Sequence, residues 1–167
     1  MKSVGNGFVA ALLLHWRRQP CEFMTIEQSA GQQKKILVVD DNLVIRKVVE
    51  RKLQSSGYQV ILAIDASAAI SAIKKEIPDL ILLDLIFPPD PMDVGMHWDG
   101  FAIIRWLHNM SQASNVPVVI ISGTDPAKYR DRCLAAGATA YLHKPLNMDE
   151  LCATIQRALG EKVPSAA

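Results

Sequence analysis

LILLDL, residues 80–85, is apolar on both sides of an extended chain until it meets a single acid, Asp84. A half-solvated strand alternates apolar with polar residues, so a run with no polar face needs cover on both sides, as in a parallel sheet between helices. Such runs recur. KKILVVD (34–40), YQVILAI (58–64), VPVVIIS (116–122) and ATAYLH (138–143) join DLILLDL (79–85) as five predicted strands. A segment of helical period follows each one. DNLVIRKVVERKLQSSG places Ile45, Val48, Val49 and Lys52 or Leu53 on one stripe, with Gly57 set to end the helix in a left-handed conformation. Asp65 caps ASAAISAIKKE, which must stop before Pro78. FAIIRWLHNM follows Gly100, PAKYRDRCLAAG ends at Gly137, and Asn147 caps MDELCATIQRALG. A helix after every strand predicts right-handed crossovers and an α/β fold: a doubly wound, five-stranded parallel sheet with five helices. Strand order 2-1-3-4-5, the flavodoxin-like arrangement, is one common solution.

Composition narrows the function classes. With 167 residues, half of them apolar, the chain can bury one good core but hardly two. The 18 basic residues nearly cancel the 17 acidic ones, so no bulk field draws the chain to nucleic acid or an anionic membrane. Cys21, Cys133 and Cys152 are odd in number and widely spaced, which argues against a disulfide framework or a zinc site and for a reducing cytoplasm. Residues 1–33 form an N-terminal extension. Its apolar run FVAALLLHW falls short of the roughly 20 residues of a membrane span. Arg17 and Arg18 follow without a small-x-small cleavage pattern. The extension reads as poorly ordered or partly helical, or as the product of an upstream start codon with Met24 opening the polar leader MTIEQSAGQQ.

In a doubly wound sheet, ligands bind beyond the carboxyl ends of the strands, near the point where the winding reverses. The residues at those ends are Asp40 and Asp41 after the first strand, Asp84 after the third, Ser122 after the fourth and Lys144 after the fifth. Singly, each has a plain structural role as a helix cap or turn residue. Together at one edge they describe a reaction site. Three carboxylates in a small volume repel one another unless a cation or an ammonium compensates them. Magnesium suits that need: it prefers oxygen ligands and commonly joins one or two carboxylates to a phosphate oxygen. Lys144 supplies a point charge and Ser122 a hydroxyl donor for phosphoryl oxygens. A carboxylate can act as the nucleophile and form an acyl phosphate, and Asp84, alone at the end of the central strand, is the candidate.

VVDDN (38–42), LILLDL (80–85), VVIISG (118–123) and GATAYLHKP (137–145) resemble the receiver domain of two-component response regulators, including single-domain regulators of the chemotaxis type. The resemblance spans about residues 34–160. It implies that Asp84 accepts a phosphoryl group from a phosphohistidine on a sensor histidine kinase or phosphotransfer protein. It also implies that Asp41, Asp84 and the backbone carbonyl of Ile86 ligate Mg2+, with Asp40 acting largely through metal-bound water. Ser122 and Lys144 match the family's hydroxyl and lysine positions, Lys144–Pro145 would be cis, and Tyr141 stands at the aromatic switch position. Signalling would pass through protein contacts on the face built from the fourth helix, fifth strand and fifth helix.

The pattern departs from the family in one place. Receivers reach the glycine before the third helix sooner, so residues 87–99 form an enlarged loop. Pro88, Pro89 and Pro91 restrict it, and Met92, Val94, Met96 and Trp98 make it apolar for a solvated segment. Packing of Trp98 back onto the domain competes with partner docking or self-association as its role. His97 with Asp90 and Asp93 lacks a regular metal-ligand spacing. The tail 161–167 is too short for a helix-turn-helix or a catalytic module, so the expected output is a cytoplasmic single-domain switch without direct nucleic-acid or membrane contact. Its downstream partner is unspecified, and monomer and homodimer both stay open. One rival is a phosphorylation-independent receiver-like scaffold that uses the 87–99 insertion. Another is an aspartate-nucleophile phosphatase, but VVDDN lacks the DxD pattern of haloacid-dehalogenase-like enzymes.

Overall fold

A computed structural model of the chain describes residues 33–86 and 99–161, which fall in one unit beginning at Gln33. The extension through residue 32, the insertion 87–98 and the tail from 162 lie outside the described residues, as do the expectations placed on them. The strands are β1 (Lys35–Val39), β2 (Gln59–Ala63), β3 (Leu80–Asp84), β4 (Val118–Ser122) and β5 (Ala140–His143). The helices are α1 (Leu43–Ser55), α2 (Ala66–Lys75), α3 (Gly100–Asn109), α4 (Pro126–Ala135) and α5 (Met148–Ala158). All strand pairs are parallel, as the alternation of runs predicts, and their order is β2-β1-β3-β4-β5, the common solution for a doubly wound sheet.

Alternate strand residues serve two separate cores. Ile36, Val38, Leu80 and Leu82 face Val49 and Leu53 of α1 and Leu151 and Ile155 of α5. Leu37, Val39, Ile81 and Leu83 face Ala69 and Ile73 of α2, Ile103, Ile104 and Leu107 of α3, and Cys133 of α4. Period-2 alternation thus sends one apolar set to each helical layer, so β3 carries no polar residue before Asp84. Leu82 sits fully buried at the middle of this strand. Leu82→Ala is expected to cost about 2–5 kcal/mol, from lost transfer free energy plus the cavity left behind. Urea unfolding measures it.

The helix ends follow the local chemistry read from the sequence. Asp65 accepts a hydrogen bond from the Ala68 N–H, and Asn147 accepts from the N–H groups of Asp149 and Glu150. Gly57 follows α1 with φ +89°, a conformation that costs a residue with a Cβ but not glycine. One expectation needs correction. Val48, placed on the buried stripe of α1, is 47% exposed, while Arg46 is buried. Ile45 and Val48 line an apolar groove with Pro145, Leu146 and Met148 instead. The inward face of α1 is therefore narrower than the apolar stripe, and one of its places goes to an arginine.

Candidate functional site

The sheet register assembles the site. Val39 pairs with Leu83, so the next residue on each strand, Asp40 and Asp84, emerges at the same carboxyl edge. These are the neighbouring strands between which the winding reverses: β1 leads to β2 on one side, while β3 leads on to β4. Ser122 ends β4 opposite His143, and the Lys144 N–H donates to the Ser122 carbonyl at 2.8 Å. Each side chain thus stands at the end of a strand that its apolar run holds rigidly in the sheet.

Asp40, Asp41 and Asp84 each offer a carboxylate oxygen, and these oxygens lie within 4.8 Å of one another. Asp40 is fully buried, Asp84 is buried and Asp41 is exposed. Lys144 bridges the two buried acids: its Nζ donates to Asp40 Oδ2 at 2.7 Å and to Asp84 Oδ2 at 2.5 Å. The remaining oxygens meet backbone donors, Asn42 N–H on Asp40 Oδ1 at 2.8 Å and Ile86 N–H on Asp84 Oδ1 at 3.3 Å. Burial pushes the Asp84 carboxyl above its ordinary range, opposed by Lys144 and the Ile86 N–H and reinforced by the nearby Asp40 charge. Lys144 is held above its ordinary range although burial alone would lower it, because the bonds to Asp40 and Asp84 outweigh that penalty. The Lys144–Pro145 peptide is cis.

The donor set fits a hard divalent cation. Three carboxylates converge and no nitrogen or sulfur ligand intrudes among the described residues; with Asp41 open to solvent, a magnesium ion there would keep part of its water shell. Ile86 follows Asp84 by two residues at the exposed rim.

Beside the acids, hydroxyl groups form a connected chain. Ser122 Oγ lies 3.1 Å from Thr124 Oγ1 and accepts from the Thr124 N–H at 3.2 Å. Thr124 Oγ1 lies 3.0 Å from the Tyr141 hydroxyl, which donates to the Thr124 carbonyl at 2.8 Å. Tyr141 is buried, with its ring in the core that contains Ile103, Ile120 and Cys133.

Three contributors escaped sequence reasoning. Arg46 reaches from α1 to donate from Nη1 to the Asp40 carbonyl at 2.5 Å. Within a helical run flanked by Lys47 and Arg51 it reads as surface charge, and only the crossing of α1 over the sheet brings it inward. Thr124 reads as a turn residue after the Ser-Gly pair, and its spacing of two from Ser122 is the signal that was available. Gly100 reads as a helix start, yet its role is close approach. A Cβ on Gly100 would stand 2.9 Å from the Asp84 carbonyl oxygen and 2.9 Å from Leu85 Cα, and the Gly100 N–H donates to the Leu85 carbonyl at 3.0 Å. Backbone cannot swing aside as a side-chain tip can. Gly100→Ala is expected to destabilise by about 1–3 kcal/mol, the usual cost of overpacking, and to slow any reaction at Asp84 by displacing its strand end. Thermal unfolding and phosphodonor labelling measure the two effects.

Residues 36–156 match the family model of the response regulator receiver domain. The chain is 35% identical over 128 residues to a probable transcriptional regulator, ycf27, of Porphyridium aerugineum, covering 77% of this chain and 49% of that protein. It spans about half the length of the curated relatives it matches. Among solved structures it resembles the chemotaxis protein CheY4 of Vibrio cholerae, at 33% identity and a TM-score of 0.65, over 75% of this chain and 98% of that one. The receiver domain of NtrX from Brucella abortus is similar at 32% identity and a TM-score of 0.66, over 76% of this chain and 99% of that one.

Proposed function

Because the chain belongs to the response regulator receiver family, we propose that Asp84 is its phosphoryl acceptor and that phosphorylation there switches its protein contacts. The observation that carries this reading is the two-handed grip of Lys144 on Asp40 and Asp84, within a cluster of three converging carboxylates. A bridge of this kind offsets part of the negative charge in the resting site, and its ammonium lies within reach of any oxyanion that grows from Asp84.

A carboxylate oxygen of Asp84 attacks the phosphorus of a phosphohistidine on a sensor histidine kinase or phosphotransfer protein. The new O–P bond forms as the P–N bond breaks, and the imidazole leaves with the bonding pair. Lys144 then shifts from the carboxylate to a phosphoryl oxygen, and Ser122 donates to another. Asp40, Asp41, Asp84 and the Ile86 carbonyl are the proposed Mg2+ ligands; the ion, when bound, offsets the charge of the transferred group. Arg46 and Asn42 hold the Asp40 loop in place. The acquired phosphate adds about −1.5 to −2 charge and three acceptors beside Ser122, by analogy with other phosphorylated side chains. Displacement of Ser122 and Lys144 then reaches Tyr141 and the α4-β5-α5 face. The protein is thus a switch with self-assisted phosphoryl transfer. A cytoplasmic location follows from the proposed kinase partner, and no described helix is long and apolar enough to cross a membrane.

The likeness to CheY4, a chemotaxis protein, over nearly the whole of that chain favours a single-domain switch, for which the proposed output is protein contact and not direct nucleic-acid binding. A second reading, in which this domain governs DNA binding within a longer regulator, is favoured by the length and name of the ycf27 relative. Intact mass of the protein isolated from its own cells separates the two: a product much longer than 167 residues favours the second. The phosphorylation claim itself is tested by incubating the protein with Mg2+ and acetyl phosphate and measuring intact mass. One phosphoryl group per chain, removed by hydroxylamine as an acyl phosphate should be, is the expected result. No labelling under conditions that label a control receiver would favour the phosphorylation-independent scaffold.

A further inference from the structure

The hydroxyl chain beside the acids has a member with no part in the transfer described above, Thr124. It lies in the turn between the end of β4 at Ser122 and Asp125, the N-cap of α4. Its side chain stands between two groups that do not touch each other in the hydrogen-bond pattern: Ser122 on one side and Tyr141 on the other. Each hydroxyl carries one proton, which limits how the chain can be ordered. The Tyr141 proton goes to the Thr124 carbonyl, so the contact between Thr124 Oγ1 and Tyr141 is made by the Thr124 proton. Ser122 must then supply the proton in its contact with Thr124. All three donors point the same way, from Ser122 through Thr124 to Tyr141, an order in which neighbouring bonds polarise and strengthen one another.

That order cannot survive a new acceptor beside Ser122. Once Ser122 gives its proton to an oxygen on Asp84, Thr124 Oγ1 loses its donor, and the free lone pair of Ser122 Oγ competes for the Thr124 proton. Turning toward Ser122 withdraws the Thr124 proton from Tyr141.

We propose that Thr124 is a positioning residue whose hydroxyl relays the hydrogen-bonding state of Ser122 to Tyr141. The proposal rests on Asp84 as acceptor for its use in signalling, but the relay itself exists in the resting protein and is testable there. A branched side chain without the hydroxyl keeps the shape of the turn and removes the link. The carbonyl contact of Tyr141 stays in place in that variant, so its ring remains packed.

The test labels tyrosine with 13C at Cζ, assigns the Tyr141 signal with Tyr141→Phe, and follows it by NMR without any phosphodonor. Ser122→Ala is expected to shift the Tyr141 signal in the Thr124 chain. The shift should disappear when Ser122→Ala is made in Thr124→Val and return in Thr124→Ser; Thr124→Ala serves as a second hydroxyl-free variant should Thr124→Val fail to fold. An equal Ser122→Ala shift in the hydroxyl-free chains, or none in the Thr124 chain, overturns the relay. A parallel arm adds Mg2+ and beryllofluoride and reads occupancy at Asp84 by 19F signals. Binding with a Tyr141 response that is lost in Thr124→Val supports the relay in switching. Binding with an unchanged response in Thr124→Val overturns the relay alone, whereas no binding to the wild type overturns the Asp84 reading and with it the relay's signalling role.

Discussion

Asp84→Asn is expected to abolish acetyl phosphate labelling while leaving the fold as stable as wild type or more so. The first outcome follows from the loss of the nucleophilic oxygen at the end of β3, since an amide neither attacks phosphorus nor retains a carboxylate's charge for a cation. The second follows from the environment. Burial and the neighbouring Asp40 charge hold the Asp84 carboxyl above its ordinary range. A carboxyl whose folded pKa lies above its unfolded one binds its proton more tightly in the fold, so its ionised form costs stability at every pH above both values. Asparagine removes that cost, and Lys144 keeps its bond to Asp40. Urea unfolding at neutral pH in the presence of a chelator measures the stability, and intact mass measures the labelling. A variant that unfolds would show that Asp84 is a structural anchor, and one that still labels would place the acceptor elsewhere.

Lys144→Met should behave in the opposite way with respect to stability. Asp40 has no exposed surface and Asp84 is nearly as enclosed, so removal of the ammonium leaves two buried carboxylates facing each other. Breaking a buried pair by deleting one partner typically costs about 3–5 kcal/mol, because the survivor stays desolvated and uncompensated. Added Mg2+ should restore part of this loss, since a cation among the acids takes over the compensation by stabilising only the folded state. Phosphorylation should slow by about 100-fold or more, the scale seen when one oxyanion donor is removed from a site. Combining Lys144→Met with Asp84→Asn should recover stability beyond the sum of the two changes, for residues in direct contact do not act additively. A Lys144→Met protein as stable as wild type in chelator would mean that water, and not Lys144, balances these charges.

What the sequence discloses about this fold is what local rules control. The strands announce themselves because a doubly covered sheet tolerates no polar residue in LILL, and Asp65 and Asn147 announce helix starts because orphan N–H groups need an acceptor. The meeting of the candidate site residues is equally legible, since the residues at strand ends are brought to one edge by any parallel register. Contacts set by the packing of one element over another are hidden. Arg46 is buried because α1 crosses β1 where its guanidinium meets the Asp40 carbonyl, and nothing in LVIRKVV separates it from the exposed Lys47. The same crossing turns Val48 outward. Thr124 meets the Tyr141 hydroxyl because Ile120 pairs with Tyr141 and the turn after Ser122 brings residue 124 to it, a placement in which β4–β5 register and turn geometry act together.

The central claim, that the carboxylate at the end of β3 is the one that takes the phosphoryl group, is tested most directly by reducing the labelled protein with borohydride and sequencing its peptides by mass spectrometry. Reduction converts an aspartyl phosphate to homoserine and so marks the residue itself. Homoserine at position 84 is the predicted result; homoserine at position 40 or 41, or at none of the three, would contradict it.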